Sequence, residues 1–307
     1  MRYHIRHETR FTYATPVRFA RCNLRLKPIF WSGQTLIDHD LSVEPNGELT
    51  LARADASLAN VTRLVIPEAV KRLKIVSMAT VDVERAVPFP ASEDPDIATV
   101  ARLARASRDV SASGPTNYLF ASPMVELSPE IADWCAQELA PDRSIMDAAI
   151  ALALRIQREF DYDPDATHTA TRPAEAFAHR HGVCQDFAQV MIAGLRAHGI
   201  PAAYASGYLR TLPPLGESRL VGADATHAWV LVWCGPIRGW EGVDPTNGIW
   251  MAGDHIVIAI GRDYSEIAPI DGVFLGTGAQ TMTVSVDVAP EEPGSDEQLS
   301  VAAPALT

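Results

Sequence analysis

The stretch HGVCQDFAQVMIAGLRAHG, residues 181–199, places Cys184 at the start of a segment with helical periodicity. Phe187, Ala188, Met191, Ile192 and Leu195 follow it at +3, +4, +7, +8 and +11, so the thiol lies on that helix's apolar face. Such spacing suits a packed cysteine, because free cysteine is among the most buried residue types. The residues before it support a second reading. His179-Arg180-His181-Gly182 is a poor helix interior, so the helix should begin near Val183 or Cys184, where unpaired N–H groups and the helix dipole stabilise a thiolate. A cysteine so placed can act as a nucleophile near neutral pH, and the same N–H groups could receive an oxyanion.

A thiol nucleophile needs a base and a group that orients the base. His227 opens the run THAWVLVW, and Asp244 closes the run GWEGVD. If these two strands pair as a hairpin, the imidazole and carboxylate can meet at one end of a sheet facing the helix start. Asp244 would then fix the tautomer of His227, and His227 would take the thiol proton. Singly, His227 reads as a surface residue at a strand start and Asp244 as a turn residue before Pro245. Asp186 and Gln185 stand close to the thiol; Asp186 suits the first helical turn, although its charge would oppose a thiolate. Trp229 and Tyr208 could line a cleft or pack in the core.

The elements around these residues divide by pattern. Residues 1–85 contain period-2 or β-branched runs (YHIRHETRFTY, TLIDHDLSVEP, NVTRLVIP, LKIVSMATVDVE) broken by turn signals such as Pro45-Asn46-Gly47, which predicts an all-β, sandwich-like module. Pro88-Phe89-Pro90 and the acidic SEDPD mark a boundary. Two helices should follow. One is SPEIADWCAQELA, with Ser-Pro at its start and Cys135 inward; the other is SIMDAAIALALRIQREF, where Ser144 and Asp147 resemble a capping box. After the Cys184 helix the pattern returns to strands (AAYASGYLR, THAWVLVWC, RGWEGVDPTNG), giving an α+β chain with helices on an antiparallel sheet. The expected domains are 1–88, an N-terminal β domain; 89–288, a catalytic domain; and 289–307, an acidic, flexible tail.

Charge and cysteine usage narrow the function classes. The net charge of −12 is split, with residues 1–90 at +4 and the remainder at −16. An acidic excess argues against nucleic acid as the partner, and the arginines of residues 1–30 read as outward strand positions. No run reaches the ~18 apolar residues of a membrane span, and the first residues lack a secretory leader's apolar core. A cytoplasmic protein is expected. Cys22, Cys135, Cys184 and Cys234 show no C-x-x-C spacing and read as reduced thiols. Metal sites drawn from His179, His181 and Cys184, or from His4 and His7 on opposite strand faces, match no zinc spacing. Neither metal nor cofactor is expected.

With these residues in place, the sequence resembles the transglutaminase-like superfamily, specifically the bacterial proteins with a dedicated N-terminal β domain. The resemblance lies in GVCQDFAQVMIAGLRAHGIPAAYASGYL, GADATHAWVLVW and GWEGVDPTNG, which match the family's Cys, His and Asp blocks in order. It extends to HIVIAIGRDYSEIAPIDGVFLG and back to HETRFTYATPV and NLRLKP. It implies Cys184 as nucleophile, His227 as general base and then acid, and Asp244 as orienting carboxylate, on a papain-like core. One departure is Ser57-Leu58-Ala59-Asn60, where the family carries an aromatic-Gly-Asn turn. The resemblance implies thiol acyl transfer at an amide of a protein or peptide substrate. Hydrolysis by a cysteine peptidase or amidase is favoured, because water needs no second binding site; Lys27, Lys71 and Lys74 are the only lysines, so the catalytic half offers none for self-crosslinking. The alternatives are a transamidase, and a binding scaffold with an idle triad whose basic N-terminal domain docks an acidic partner.

Overall fold

Alternating burial builds the first half of the chain. In β1 (Arg2–Val17), Tyr3, Ile5, His7, Thr9, Phe11 and Tyr13 point inward, while His4, Arg10 and Thr12 point to solvent. The computed structural model describes residues 1–52, 57–211 and 225–291. β2 (Phe19–Lys27), β3 (Gln34–Glu44), β4 (Glu48–Ala52), β5 (Leu58–Ile66) and β6 (Val70–Val83) complete the β-rich first part.

The helical part follows with α1 (Ile97–Ala106), α2 (Pro129–Cys135), α3 (Ile145–Glu159), the short β7 (Asp161–Tyr162), α4 (Pro173–His179), β8 (His181–Gly182) and α5 (Cys184–Ala197). Then come β9 (Ala202–Leu209), β10 (Ala225–Trp233), β11 (Trp240–Asp244), β12 (Ile249–Trp250), β13 (His255–Gly261), α6 (Tyr264–Ile267), β14 (Ile270–Leu275) and β15 (Gln280–Pro290). The fold is α+β, with antiparallel sheets and helices on one face of the second half.

Apart from the β7–β8 pair, two sheets organise these strands. One has the order β15-β1-β6-β3; the other runs β12-β11-β10-β9-β13-β5-β2-β14, with β4 on β5. The first lies over both halves of the second. Phe11, Leu73 and Ile75 meet Leu24, Leu64 and Ile66 at one end, and Tyr3, Ile5 and Val81 meet Tyr208, Ile256 and Ile258 at the other. Helix α5 packs on β9 and β10, and α3 on β11 and β12, in a core that includes Leu152, Ile156, Met191, Val230 and Val232.

The long sheet joins parts that the sequence reading separates near residue 88. β13 pairs with β5 at Ala259↔Ala59 and Ile260↔Leu58, β14 pairs with β2, and β15 runs the length of β1. Periodicity marks strands but not their partners, and the open edges of β1 and β2 are satisfied only from the far end of the chain. Ala289 and Pro290, expected to begin a tail, instead close β15 opposite His4 and Tyr3; residues 292–307 of that tail lie outside the described residues. Leu58, Ala59 and Asn60, which depart from the turn carried by the family the sequence resembles, form the start of β5.

Two helix details also differ from expectation. Ser144 precedes α3 but its side chain makes no cap, because the backbone there is engaged in a bridge from Ser144 to Asp96 and in Ile145 N–H donating to the Pro95 carbonyl. The hydroxyl is left buried without a partner. Helix α5 carries an apolar stripe, yet every residue from Gln185 to Arg196 is buried. Its polar face packs too: Arg196 donates to the carbonyls of Ala202, Phe120 and Arg262, and Gln185 to that of Thr169.

Candidate active site

The segment leading to Cys184 is fixed residue by residue. Helix α4 ends at Arg180, which has φ of 57°, in the left-handed region. Its guanidinium lies over Phe177 (3.8 Å), Phe160 (4.7 Å) and Trp134 (4.8 Å), so cation–π contacts hold this turn against the core. β8 then pairs in parallel with β7, with Asp161 N–H donating to the Arg180 carbonyl at 2.8 Å and Asp163 N–H to that of Gly182 at 2.9 Å.

Cys184 is the first residue of α5, after the N-cap Val183. Valine has no side-chain oxygen to cap with, and Asp186 supplies the anchoring instead. Its Oδ2 accepts from Val183 N–H at 2.9 Å and from Thr167 Oγ at 2.7 Å. Burial pushes the Asp186 carboxyl up, and these two hydrogen bonds oppose that shift. Its charge is thereby committed to the loop rather than left facing the thiol. Gly182 has no room for a side chain: a Cβ there would lie 2.6 Å from Asp186 Oδ2. Cys184 itself is half-buried, whereas Cys22, Cys135 and Cys234 are buried, as expected for Cys135.

Strands β10 and β11 do form the hairpin that the sequence suggests, with Val230 opposite Val243 and Trp233 opposite Trp240. This register carries Asp244 to the level of Trp229, diagonal to His227. His227 Nε2 lies 2.8 Å from Asp244 Oδ2. Asp244 engages Nε2 and leaves Nδ1 for Cys184, whose proximity favours the protonated imidazole. Cys184, His227 and Asp244 thus meet as the sequence reading anticipates.

Asp244 is fully buried, and its oxygens are densely bonded. Oδ1 accepts from Thr246 N–H (2.9 Å) and Asn247 N–H (3.2 Å). Oδ2 accepts from His227, from Asn247 Nδ2 (2.7 Å) and from His255 Nε2 (3.3 Å). Burial alone would raise the Asp244 pKa, but the bonds from His227 and His255 outweigh it and hold the carboxyl well below the usual range. For His227, burial alone would lower the pKa; its bond to Asp244 and the nearness of Cys184 reverse this and push it up to about 10. Both shifts favour an imidazolium held on a carboxylate.

His255 and Asn247 do not emerge from sequence reasoning. Asn247 carries a local signal, since an amide three residues after an aspartate in Asp-Pro-Thr-Asn can close the turn onto it. His255 carries none; it heads the apolar run HIVIAIG and reaches Asp244 only through the order of strands. Trp229 and Tyr208 both belong to the core rather than to an open cleft. The Trp229 ring lies 6.2 Å from that of His227 at 28°, and Tyr208 OH meets His7 Nδ1 at 2.9 Å. The imidazoles of His227 and His255 with Asp244 bring three potential ligand atoms within 4.8 Å of one another. With N–H donors converging on both Asp244 oxygens, the arrangement suits a held carboxylate better than a cation. As expected, His4 is exposed and His7 buried, so the two do not share a site.

Two family models match the chain. One, described as the transglutaminase-like superfamily, matches residues 133–245; the other, the bacterial transglutaminase-like N-terminal region, matches residues 3–82. An uncharacterized protein of Mycobacterium tuberculosis is 33% identical over 303 residues, covering 95% of this chain and 93% of its own. A protein-glutamine gamma-glutamyltransferase of Pseudomonas aeruginosa is 38% identical over 105 residues, which is 31% of this chain and 15% of that protein. Among solved structures, a candidate cysteine protease from Cytophaga hutchinsonii superposes with a TM-score of 0.74 at 20% identity, covering 96% of this chain and 92% of its own. At that identity the likeness is one of fold. The sequence matches and the paired N-terminal and core models together show that the chain belongs to the bacterial transglutaminase-like family.

Proposed function

We propose that this protein is a thiol acyl-transfer enzyme acting on amide bonds of peptides or proteins, with water as the acceptor. The observation that carries the reading is the 2.8 Å bond from His227 to fully buried Asp244, next to a cysteine that opens a helix. His227 takes the proton of Cys184, and the thiolate attacks the amide carbonyl. The oxyanion that forms faces the N–H groups at the start of α5. Collapse of the intermediate breaks the C–N bond, His227 returns its proton to the leaving amine, and a thioester remains on Cys184. Water, deprotonated by His227, then attacks the thioester; the acid is released and the thiol is restored. Asp244 keeps the imidazole in one tautomer and stabilises its protonated form.

Transamidation is the second reading, favoured by the local 38% identity to a protein-glutamine gamma-glutamyltransferase. It differs in the last step alone, where an amine replaces water. Glutamine-containing peptides incubated with the protein, with and without a fluorescent primary amine, separate the two. Ammonia release without amine incorporation, absent in Cys184→Ala, supports hydrolysis. Stoichiometric amine incorporation supports transamidation. No acyl transfer on glutamine peptides or a general peptide library counts against both.

A further inference from the structure

The end of the N-terminal β module reaches the back of the Cys184 site. Arg85, which follows β6, donates through Nη1 to the carbonyls of Ala252 (3.3 Å) and His255 (3.0 Å). Its Nε and Nη2 donate to the Ser32 carbonyl at 3.2 and 2.9 Å. The turn from Ala252 to His255 is therefore tied to the loop after β2. Within the turn, Ala252 N–H donates to His255 Nδ1 at 3.4 Å. An accepting Nδ1 puts the ring hydrogen on Nε2, so the bond at 3.3 Å runs from His255 to Asp244.

This bond differs in kind from the other contacts on Asp244. Thr246 and Asn247 belong to the same turn as the carboxylate and move with it. His227 is the group to be oriented. His255 comes from β13, which is separated from β11 by β10 and β9 in the sheet. Among the described residues it is thus the carboxylate's tie to a distant strand. It is 1% exposed, and the Trp229 ring packs edge-on against it at 5.2 Å and 74° while lying nearly parallel to His227.

We propose that His255 is a positioning residue that holds the Asp244 carboxylate in the orientation receiving His227, and that Arg85 carries this constraint from the N-terminal β module. The proposal rests on the Cys184–His227–Asp244 reading above. It gives the N-terminal module a part in the site as a brace.

The test uses the full chain with His255→Ala, His255→Gln and Arg85→Ala, each checked for native near-UV circular dichroism. The first readout is the low-field proton resonance of His227 Nε2–H, assigned by its loss in His227→Ala. The second is the iodoacetamide alkylation rate of Cys184 at about pH 6 relative to about pH 9.5. In His255→Ala the resonance should exchange faster and the rate ratio should fall, each by about tenfold, as for loss of other orienting partners. The Gln variant, whose amide nitrogen can replace Nε2 as donor, should recover most of both, and Arg85→Ala should move both in the direction of His255→Ala. An unchanged resonance in folded His255→Ala overturns the proposal, as does a Gln variant no better than Ala. If the parent thiol is unreactive at the lower pH, the acyl-transfer reading fails, while the His227 resonance still decides the role of His255.

Discussion

His227 and Asp244 are bound at 2.8 Å, with the aspartate wholly out of solvent. Removing one partner of a buried, hydrogen-bonded pair typically costs about 3–5 kcal/mol, because the other is left unpaired. Asp244→Ala also strips acceptors from Asn247, Thr246 and His255. We expect it to lower stability by that amount in urea unfolding, and Asp244→Asn, which keeps shape and one acceptor, by about 1–3 kcal/mol. Both should move alkylation of Cys184 toward the ordinary thiol range near pH ~8.5. A stable Asp244→Ala protein with parental alkylation would remove the orienting role of the carboxylate.

The same pair sets a pH window for stability. His227 is raised from 6.5 to about 10, so its contribution is fully present below pH 6.5 and is lost as pH rises through 10. Asp244 is depressed from 3.8, so its contribution is present above that value and is lost as pH falls below it. The pair therefore favours the folded state most between about pH 4 and 6.5. Unfolding free energy should decline from the neutral range to pH 10, and the decline should be smaller in His227→Gln. An equal slope in parent and variant would assign the decline to other groups.

Thiol selectivity follows from burial. Burial pushes Cys22 up to about 11 and Cys135 up to about 12, and it raises Cys234 further. Cys184 is the half-buried cysteine. Native protein exposed to limiting iodoacetamide at neutral pH should gain a single adduct, located on Cys184 by peptide mapping. Labelling spread over several cysteines without unfolding would contradict this packing.

How far the site could be read in the sequence depends on the range of the interaction concerned. Cys184, His227 and Asp244 each sit at the end of an element whose type is locally encoded, and the hairpin between β10 and β11 is short. Their meeting follows from local structure plus one pairing. His255 meets Asp244 through β13, β9 and β10, an order set by long-range pairing that no local period contains. The pairing of β15 with β1 escapes for the same reason. The burial of α5 on all sides depends on α2 and α4 packing against it, and nothing local marks Gln185 and Arg196 as residues that would find carbonyls to bond.

Gly182 offers a test of the loop that carries the thiol. A Cβ at this position would lie 2.6 Å from Asp186 Oδ2 and 2.8 Å from its Cβ, so alanine must displace the Asp186 side chain. Asp186 is held by Val183 N–H and Thr167, and moving it undoes the anchor at the first turn of α5. Loss of a cap and local overpacking each cost about 1–2 kcal/mol. Gly182→Ala should therefore reduce stability by about 2–4 kcal/mol in urea unfolding. It should also slow alkylation of Cys184 at about pH 6 more than at about pH 9.5, since the helix start that favours the thiolate is disturbed. Asp186→Asn separates the two effects. It keeps a carbonyl oxygen for Val183 N–H and removes the charge, so it should retain most of the stability and leave the alkylation profile at least as favourable to the thiolate as in the parent. If Gly182→Ala matched the parent in both measurements, the close approach of Asp186 to the Gly182 backbone would not be what holds Cys184 in place.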